Sequence, residues 1–311
     1  MGTSHIVGNG NIYEYKVKGG HIFHADCLDC LRMMNHINWK VDLILGSPPY
    51  AEQRTYLEDG EDLNIAMDVD DWVKWMVKVY KASLRVCNGL VAFVVGHGAG
   101  CRKWNGAPFL LGARLLREGI CLRRPMFYHR HGFMGSGGND YVRADIEYII
   151  VAANDAKRLD WSDNTACGHV PKYGPGGEMS HRMKEGRRVN NPDGYKSGKV
   201  KRKHKRYRPP ERANPGDIIF CGAVGGGHMG SNISHENEAP YTDKIPNFWI
   251  RSFCRPRGTV LDPFGGSGTT GAEAVKLGRK FIMADLRKSQ VKLMQRRVKQ
   301  AWKQRGLGLL Q

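Results

Sequence analysis

The feature that most constrains the fold is a glycine-rich turn between an apolar run and a helical pattern. Thr259-Val260-Leu261 is typical of a short buried strand, and the stretch from Thr270 to Leu277 is typical of a helix. The turn and the first helical residues carry three glycines at G-x-G-x-x-G spacing: Gly266, Gly268 and Gly271. Such glycines let the backbone approach a ligand closely where a strand passes into a helix. The sequence therefore predicts an α/β domain with a ligand site at the carboxyl end of a strand.

The same alternation of strands and helices occurs elsewhere in the chain. Val41 to Leu45 is predicted as a buried strand, ended by Gly46 and two prolines, and apolar spacing between Asp70 and Val86 predicts an amphipathic helix. Further predicted elements are strands at Leu90–Val95, Ile146–Val151 and Phe281–Ala284, part of a helix at Asn247–Phe253 and a basic closing helix at Lys288–Lys303. This order favours a doubly wound sheet that binds its ligands at the carboxyl ends of the strands.

Composition indicates a soluble protein that binds a polyanion. Of the 311 residues, 41% are hydrophobic, and no apolar run approaches the roughly 20 residues that span a bilayer. The first residues lack a secretory signal, so we expect a cytoplasmic protein. The net charge of +18 favours nucleic acid, because neutralising phosphates releases condensed counterions. A ribosome-associated, membrane-surface or merely basic protein is the alternative at this point.

The eight cysteines are expected to be free thiols, since the chain shows no secretion signal. Cys27 and Cys30 form one C-x-x-C pair, but without a second pair or paired histidines this is a weak zinc signal. We therefore predict no metal site.

Positive charge is concentrated in one segment in the middle of the chain. Arg182 to Arg212 contains 13 Lys or Arg against three acidic residues, and thus +10 of the net charge. This is a candidate nucleic-acid arm, for which a solvated linker is the alternative. The basic residues predicted to contact DNA are Lys199, Lys201, Arg202, Lys203, Lys205 and Arg206.

The residues before the glycines bear on which ligand the turn holds. A dinucleotide site wants an acidic ribose ligand roughly 20 residues on, and Asp285 is a plausible match. However, Asp262-Pro263-Phe264 places a carboxylate and a ring beside the glycines. A carboxylate would repel a pyrophosphate and suits an ammonium or sulfonium group.

A second motif, Ser47-Pro48-Pro49-Tyr50, follows Gly46 at the end of the first predicted strand. Consecutive prolines fix φ and remove two N–H donors, which leaves carbonyls as acceptors. The Ser47 hydroxyl and the Pro48 carbonyl could hold the two hydrogens of an exocyclic amine, while Tyr50 stacks on a flipped base. Taken alone, such a motif more often marks a turn that ends a strand.

Together the two motifs resemble the DNA amino-methyltransferases of restriction-modification systems. That family combines a (D/N/S)-P-P-(Y/F) catalytic motif with a D-P-F-x-G-x-G-T cofactor motif, and the order here resembles the beta arrangement. Three further segments resemble family motifs: 24–28 (HADCL), 244–246 (KIP) and 278–282 (GRKFI). The sequence departs from the pattern at Ala25, where glycine is expected, and at Asp285, where glutamate is usual.

The resemblance implies a fold, a cofactor and the residues that bind it. The fold is a Rossmann-like S-adenosylmethionine-dependent methyltransferase, circularly permuted, with an inserted target-recognition region. Asp262, Gly266 and Gly268 would line the methionine end of S-adenosyl-L-methionine, with Asp285 at its ribose and Asp26 near its adenine. The full predicted set is Asp26, Cys27, Ser47, Lys244, Asp262, Phe264, Gly266, Ser267, Gly268, Thr269 and Asp285.

The resemblance also implies a reaction: direct in-line methyl transfer to an amino nitrogen of a base flipped out of duplex DNA. The catalytic residues would be Ser47, Pro48, Pro49 and Tyr50. Serine at position 47 favours cytosine N4, since family members with aspartate there mostly modify adenine N6, which is the alternative. A cytosine C5 enzyme would need a cysteine nucleophile after proline, and no such pair occurs. A non-catalytic nucleic-acid-binding protein and a nicotinamide dehydrogenase are the hypotheses from other classes.

Three regions are predicted. They are a catalytic half at 1–131, a basic target-recognition region at 132–230 and a cofactor-binding half at 231–311. Arg54 either contacts phosphate or the flipped nucleotide, or is structural. The expected partner is double-stranded DNA in a prokaryotic or phage setting, with no membrane. A cognate restriction endonuclease, and the choice between monomer and homodimer, are left open.

Overall fold

The computed structural model describes residues 3–7, 10–52, 57–58, 61–62, 67–96, 103–130, 139–140, 142, 144–171, 179–182, 188–191, 211–221 and 242–308. The chain divides into two compact units. The larger comprises residues 1–163 with 217–311, and the smaller comprises residues 164–216.

The described residues form the following strands: β1 (Thr3–Val7), β2 (Gly10–Val17), β3 (Gly20–His24), β4 (Val41–Gly46), β5 (Leu57–Glu58), β6 (Glu61–Asp62), β7 (Cys87–Val95), β8 (Cys121–Leu122), β9 (Met126–Arg130), β10 (Ile146–Ala153), β11 (Met179–Arg182), β12 (Arg188–Asn191), β13 (Ile218–Cys221), β14 (Thr259–Asp262) and β15 (Lys280–Asp285). The helices are α1 (Cys27–His36), α2 (Val69–Val86), α3 (Ala107–Arg117), α4 (Lys244–Phe253), α5 (Thr269–Lys276) and α6 (Lys288–Gly308).

The larger unit is built on one sheet with the strand order β1-β2-β3-β15-β14-β4-β7-β10-β9-β13, with β8 pairing against β10. The central strands β3, β15, β14, β4 and β7 pair in parallel. β2 is antiparallel to β3 on one side, and β10 is antiparallel to β7 on the other. Because the central strands are parallel, their carboxyl ends meet at one edge of the sheet, where ligands bind in open α/β folds.

Helices cover both faces of this sheet, as a doubly wound fold requires. On β4, Ile44 packs into a core with Trp72 of α2, whereas the neighbouring Leu43 packs into a second core with Trp249 of α4. The first core also contains side chains of α1 and α3, and the second contains side chains of α5 and α6. Adjacent residues of a strand point to opposite faces, so both faces of β4 are buried. The prediction of an α/β fold with a doubly wound sheet is confirmed.

The predicted elements are present with small differences at their ends. The strands β4, β7, β10, β14 and β15 and the helices α2, α4, α5 and α6 all lie where periodicity placed them. α2 begins at Val69 because the Asp68 side chain accepts the Asp71 N–H at 2.9 Å, which caps the helix. Strands β1 to β3 and helices α1 and α3 were not predicted.

The smaller unit contains the antiparallel pair β11 and β12. A bridge joins His169 to Ala213, and the Arg212 guanidinium donates to the Gly168 carbonyl from Nε at 3.1 Å and Nη2 at 2.6 Å. The six predicted DNA-contacting residues between Lys199 and Arg206, and Arg54, lie outside the described residues. Among the helices described, none is long and apolar enough to cross a membrane.

Candidate active site

Four neighbouring strands bring the predicted site residues to one edge of the sheet. β3, β15, β14 and β4 are consecutive and parallel. The residues at or just beyond their carboxyl ends are Asp26, Asp285, Asp262 and Ser47. Three acidic residues and one hydroxyl, separated by up to 259 positions in the chain, therefore lie along one edge of the sheet.

The glycine-rich turn passes from β14 into α5 through backbone contacts with the neighbouring strand. The Gly265 N–H donates to the Ala284 carbonyl at 2.7 Å, and the Gly268 N–H donates to the Gly265 carbonyl at 2.7 Å. Gly266 and Gly268 have φ of +46° and +78°, a region that side chains disfavour. α5 starts directly after Gly268, so the positive end of its dipole lies at the turn.

Two further glycines allow backbone and side chains to approach closely. A Cβ on Gly271 would lie 2.5 Å from Cε of Met283, so glycine lets α5 pack against β15. A Cβ on Gly46 would lie 2.5 Å from Oδ1 of Asp262. The end of β4, which carries the Ser-Pro-Pro-Tyr motif, therefore touches the carboxylate that precedes the glycine turn.

Asp262 is fully buried, with an exposed fraction of 0%. Its Oδ1 accepts the Phe264 N–H at 3.0 Å, and its Oδ2 accepts the Thr270 hydroxyl at 2.5 Å. The carboxylate thus holds both ends of the turn.

Asp285 joins the same turn to the end of β15. Its Oδ2 accepts the Gly266 N–H at 2.9 Å, and its Oδ1 accepts the Arg287 N–H at 2.9 Å. The Asp285 side chain therefore fixes Gly266 of the turn. It also stands at the position predicted to bind the ribose.

Asp26 caps α1 at the end of β3. Its Oδ1 accepts the N–H groups of Leu28 at 2.8 Å and Asp29 at 3.3 Å. Cys27 is buried beside it, and burial, followed by the charge of Asp26, raises the pKa of the Cys27 thiol well above its usual value. Burial raises the pKa of Cys30 to about 12. Both thiols are therefore protonated near neutral pH.

The Phe264 ring packs against the core beneath the turn. It makes edge contacts with Phe93 at 5.5 Å and Trp75 at 5.8 Å between ring centroids. These rings belong to β7 and α2, so Phe264 connects the glycine turn to the half of the sheet that carries the Ser-Pro-Pro-Tyr motif.

A buried arginine that the sequence analysis did not identify supports the turn from α6. Arg297 is 3% exposed, and its Nη1 donates to the hydroxyls of Ser267 at 2.9 Å and Thr269 at 2.8 Å. The signal was present in the sequence: Arg297 lies three residues after Met294 and four residues before Ala301, on the same buried stripe of α6. A cation on the apolar face of a helix indicates a buried polar partner.

The remaining predicted cofactor residue, Lys244, is exposed at the first position of α4, where its N–H donates to Thr242 Oγ1 at 3.4 Å. Within the described ranges, no group of three or more His, Cys, Asp or Glu side chains is arranged to hold a metal ion.

The Ser-Pro-Pro-Tyr motif continues from β4 and is held by α2. The Trp72 indole N–H donates to the Pro49 carbonyl at 2.7 Å. The Pro48 carbonyl has no hydrogen-bond donor among the residues that the structure describes. Of the two proline carbonyls, that of Pro49 is therefore occupied by α2, and that of Pro48, which the sequence analysis assigns to the target amine, is not occupied by a described residue.

Tyr50 is held at its hydroxyl end and along its ring. The hydroxyl donates to Glu147 Oε2 at 2.9 Å and accepts from the Ser47 hydroxyl at 3.3 Å. A Cβ on Gly96, at the end of β7, would lie 2.2 Å from the ring, so glycine makes room for it. Glu147 pairs with Arg130, and neither residue was identified from the sequence.

Comparison with known proteins identifies the class to which this fold and site belong. The family model described as DNA methylase, for N6 and N4 methyltransferases, matches residues 41–296. The chain belongs to this DNA methylase family. Membership confirms two predictions. The protein is a beta-class DNA amino-methyltransferase of restriction-modification type, and its cofactor is S-adenosyl-L-methionine.

Individual relatives cover nearly the whole chain. Type II methyltransferase M.PvuII of Proteus hauseri is 22% identical over 309 residues, which are 94% of this chain and 87% of the relative. DNA adenine methyltransferase YhdJ of Escherichia coli K12 is 26% identical over 284 residues, 89% of this chain and 82% of the relative. The solved structure of PvuII DNA methyltransferase (cytosine-N4-specific) matches with a TM-score of 0.61 at 16% identity, covering 94% of both chains. The likeness confirms the methyltransferase fold.

Proposed function

We propose that the protein is a site-specific DNA methyltransferase that methylates the N4 amino group of cytosine in duplex DNA. The observation that carries the proposal is the contact between two motifs. The end of β4, which leads into Ser47, lies against the Asp262 carboxylate at the start of the glycine turn. A cofactor held by the turn would thus lie beside a hydroxyl and a carbonyl suited to bind an amine.

The residues at the turn fit S-adenosyl-L-methionine. The backbone at Gly266 and Gly268 can approach a ligand closely, and the carboxylates of Asp262 and Asp285 hold the same turn through backbone N–H groups. Asp262 suits the positively charged methionine end, Asp285 the ribose hydroxyls and Asp26 the region of the adenine. When bound, the cofactor supplies an electrophilic methyl group on a sulfonium.

The catalytic motif supplies acceptors for the target amine. The exocyclic amine of cytosine donates its lone pair to the ring, which makes it a poor nucleophile. Ser47 Oγ and the Pro48 carbonyl would accept its two hydrogens and favour a tetrahedral nitrogen whose lone pair faces the methyl group. The contact between Trp72 and Pro49 supports this assignment, because it occupies the other proline carbonyl.

Methyl transfer inside a duplex requires the base to leave the stack. We propose that Tyr50 stacks on the flipped base, with Gly96 and Glu147 holding its ring in place. Transfer is then direct and in-line, without a covalent enzyme intermediate.

Ser47 carries the choice of cytosine. Its neutral hydroxyl replaces the aspartate of most adenine-N6 members of the family, and the solved relative that covers 94% of this chain is described as cytosine-N4-specific. Adenine N6 is the second candidate, favoured by the similarity to YhdJ, which is described as a DNA adenine methyltransferase.

We further propose that residues 132–230 contain the target-recognition region between the halves 1–131 and 231–311. Strands β10 and β13 of this region belong to the central sheet, so recognition would depend on the segments between them. The basic residues from Lys199 to Arg206 are proposed to contact DNA phosphates, and Arg54 a phosphate or the flipped nucleotide.

The proposal is tested by single-molecule sequencing of DNA from cells that express the protein. We expect N4-methylcytosine in one sequence context, and no modification with the matched Ser47→Ala variant. Modified adenine in one context would favour the second candidate, and unmodified DNA from cells that contain folded wild-type protein would refute both.

A further inference from the structure

Glu147 is a buried acidic residue that lies beside the catalytic motif and belongs to neither sequence motif. It is the second residue of β10 and is 6% exposed, and a buried carboxylate is costly unless it is paired. Its Oε1 accepts from the Arg130 guanidinium, and its Oε2 accepts the Tyr50 hydroxyl at 2.9 Å. The carboxylate is therefore connected to the catalytic motif through Tyr50.

The hydrogen bonds that join Ser47, Tyr50 and Glu147 run in one direction. An ionised carboxylate can only accept, so the Tyr50 hydroxyl must donate its proton to Glu147. The Tyr50 oxygen is then free to accept, and the Ser47 hydroxyl, 3.3 Å away, donates to it. With its one proton directed at Tyr50, Ser47 Oγ offers lone pairs to any other partner.

The state of Tyr50 agrees with this direction. Burial, which has the largest effect, and the nearby charge of Glu147 raise the pKa of Tyr50 well above its usual value. The phenol therefore keeps, at neutral pH, the proton that it donates.

We propose that Glu147 is a positioning residue that, through Tyr50, holds the Ser47 hydroxyl as a hydrogen-bond acceptor for the target amino group. The inference rests on the proposed function, in which Ser47 accepts a hydrogen of the exocyclic amine. A serine hydroxyl can donate or accept, and a donating serine would direct its hydrogen at the hydrogens of the amine. An aspartate at this position would accept by itself. Here the negative charge lies on Glu147 of β10, and it makes Ser47 an acceptor through the Tyr50 hydroxyl.

Glu147→Gln tests the direction of these hydrogen bonds, because glutamine has almost the same shape as glutamate. Arg130 donates to one side of the carboxylate and would hold the amide oxygen there, which turns the amide NH2 toward Tyr50. The Tyr50 hydroxyl would then donate to Ser47, and Ser47 would direct its hydrogen toward the substrate. We expect kcat to fall on the order of 10- to 100-fold, with less than about a threefold change in KM for DNA and in Kd for S-adenosyl-L-methionine.

Tyr50→Phe is the matched variant, because it removes the linking hydroxyl and leaves the ring and the Glu147–Arg130 pair in place. We expect a loss of kcat similar to that of Glu147→Gln. We expect the double variant to lose no more than about threefold beyond Tyr50→Phe, because residues that act through one contact are not additive. A merely structural role of Glu147 would give the same loss in both backgrounds.

Three results would overturn the proposal: wild-type kcat in folded Glu147→Gln, wild-type kcat in Tyr50→Phe, or a full additional loss in the double variant. If Glu147→Gln does not fold, Tyr50→Phe decides. A loss of kcat at unchanged KM supports the proposed hydrogen-bond path through Tyr50, and wild-type kcat refutes it. The proposed function is judged separately, by the nucleoside that the wild-type protein methylates. N6-methyladenine in place of N4-methylcytosine overturns the target base alone, because the kcat ratios are measured on whichever amino group is modified.

Discussion

Replacing Asp285 by asparagine tests how the glycine turn is held for the cofactor. The two carboxylate oxygens accept two different backbone N–H groups, those of Gly266 and Arg287, both at 2.9 Å. Asparagine has nearly the same shape but only one acceptor oxygen, so one N–H would face an amide NH2. A buried donor left without an acceptor costs about 1 to 3 kcal/mol.

The loss should appear in cofactor binding. If Asp285 also accepts a ribose hydroxyl, the variant loses a charge-assisted hydrogen bond of about 1.5 to 3 kcal/mol. We therefore expect Kd for S-adenosyl-L-methionine, measured by calorimetry, to rise about 10- to 100-fold, since each 1.4 kcal/mol is a factor of ten.

Asp42→Asn is the matched control. Asp42 accepts the Thr259 N–H at 2.7 Å and pairs with Arg255 at 2.8 Å, at the opposite end of β14 from the site. Asp42→Asn and Asp285→Asn should both lower the melting temperature, but Asp42→Asn should leave Kd for S-adenosyl-L-methionine unchanged. Wild-type affinity in Asp285→Asn, or an equal loss of affinity in Asp42→Asn, would refute the reasoning.

Three further predictions concern the cofactor, the base and the phosphates. Asp262→Ala should weaken S-adenosyl-L-methionine binding by about 1.5 to 3 kcal/mol, because a charged hydrogen-bond partner is lost; unchanged affinity by calorimetry would remove it from the cofactor site. Tyr50→Ala should keep cofactor affinity and lose most turnover, because base stacking contributes about 1 to 3 kcal/mol; full activity on duplex DNA would exclude stacking there. Neutralising Lys199 to Arg208 should weaken binding to all DNA sequences alike and flatten its salt dependence. Loss of sequence preference at unchanged general affinity, in binding assays at several salt concentrations, would assign the segment to base recognition instead.

The parallel core of the fold was predictable because its strands and helices have regular apolar periodicity. The strands β4, β7, β14 and β15 are nearly continuous apolar runs, as strands buried on both faces must be. β2 was not predicted, because its buried side includes Glu14, whose charge interrupts the apolar alternation. The structure shows why the charge is tolerated: Glu14 pairs with His21 of β3 at 2.6 Å.

The candidate site was predictable where it depends on motifs and not where it depends on distant contacts. Ser47 and Asp262 stand in short motifs whose spacing carries chemical meaning. Glu147 and Arg297 stand alone in apolar patterns, and their roles come from partners 97 and 30 positions away, Tyr50 and Ser267. Sequence spacing cannot show contacts of that kind, although a charged residue in an apolar stripe indicates that a buried partner exists.

The central claim is that Ser47, Pro48 and Tyr50 direct a methyl group from S-adenosyl-L-methionine to an amino nitrogen of a DNA base. The most direct measurement is to methylate unmodified DNA with the purified protein, digest it to nucleosides and determine their masses against standards. The account predicts N4-methyldeoxycytidine, and N6-methyldeoxyadenosine would keep the mechanism with the other target base. 5-Methyldeoxycytidine would contradict the account, because methylation of a ring carbon uses neither of the acceptors assigned to Ser47 and Pro48.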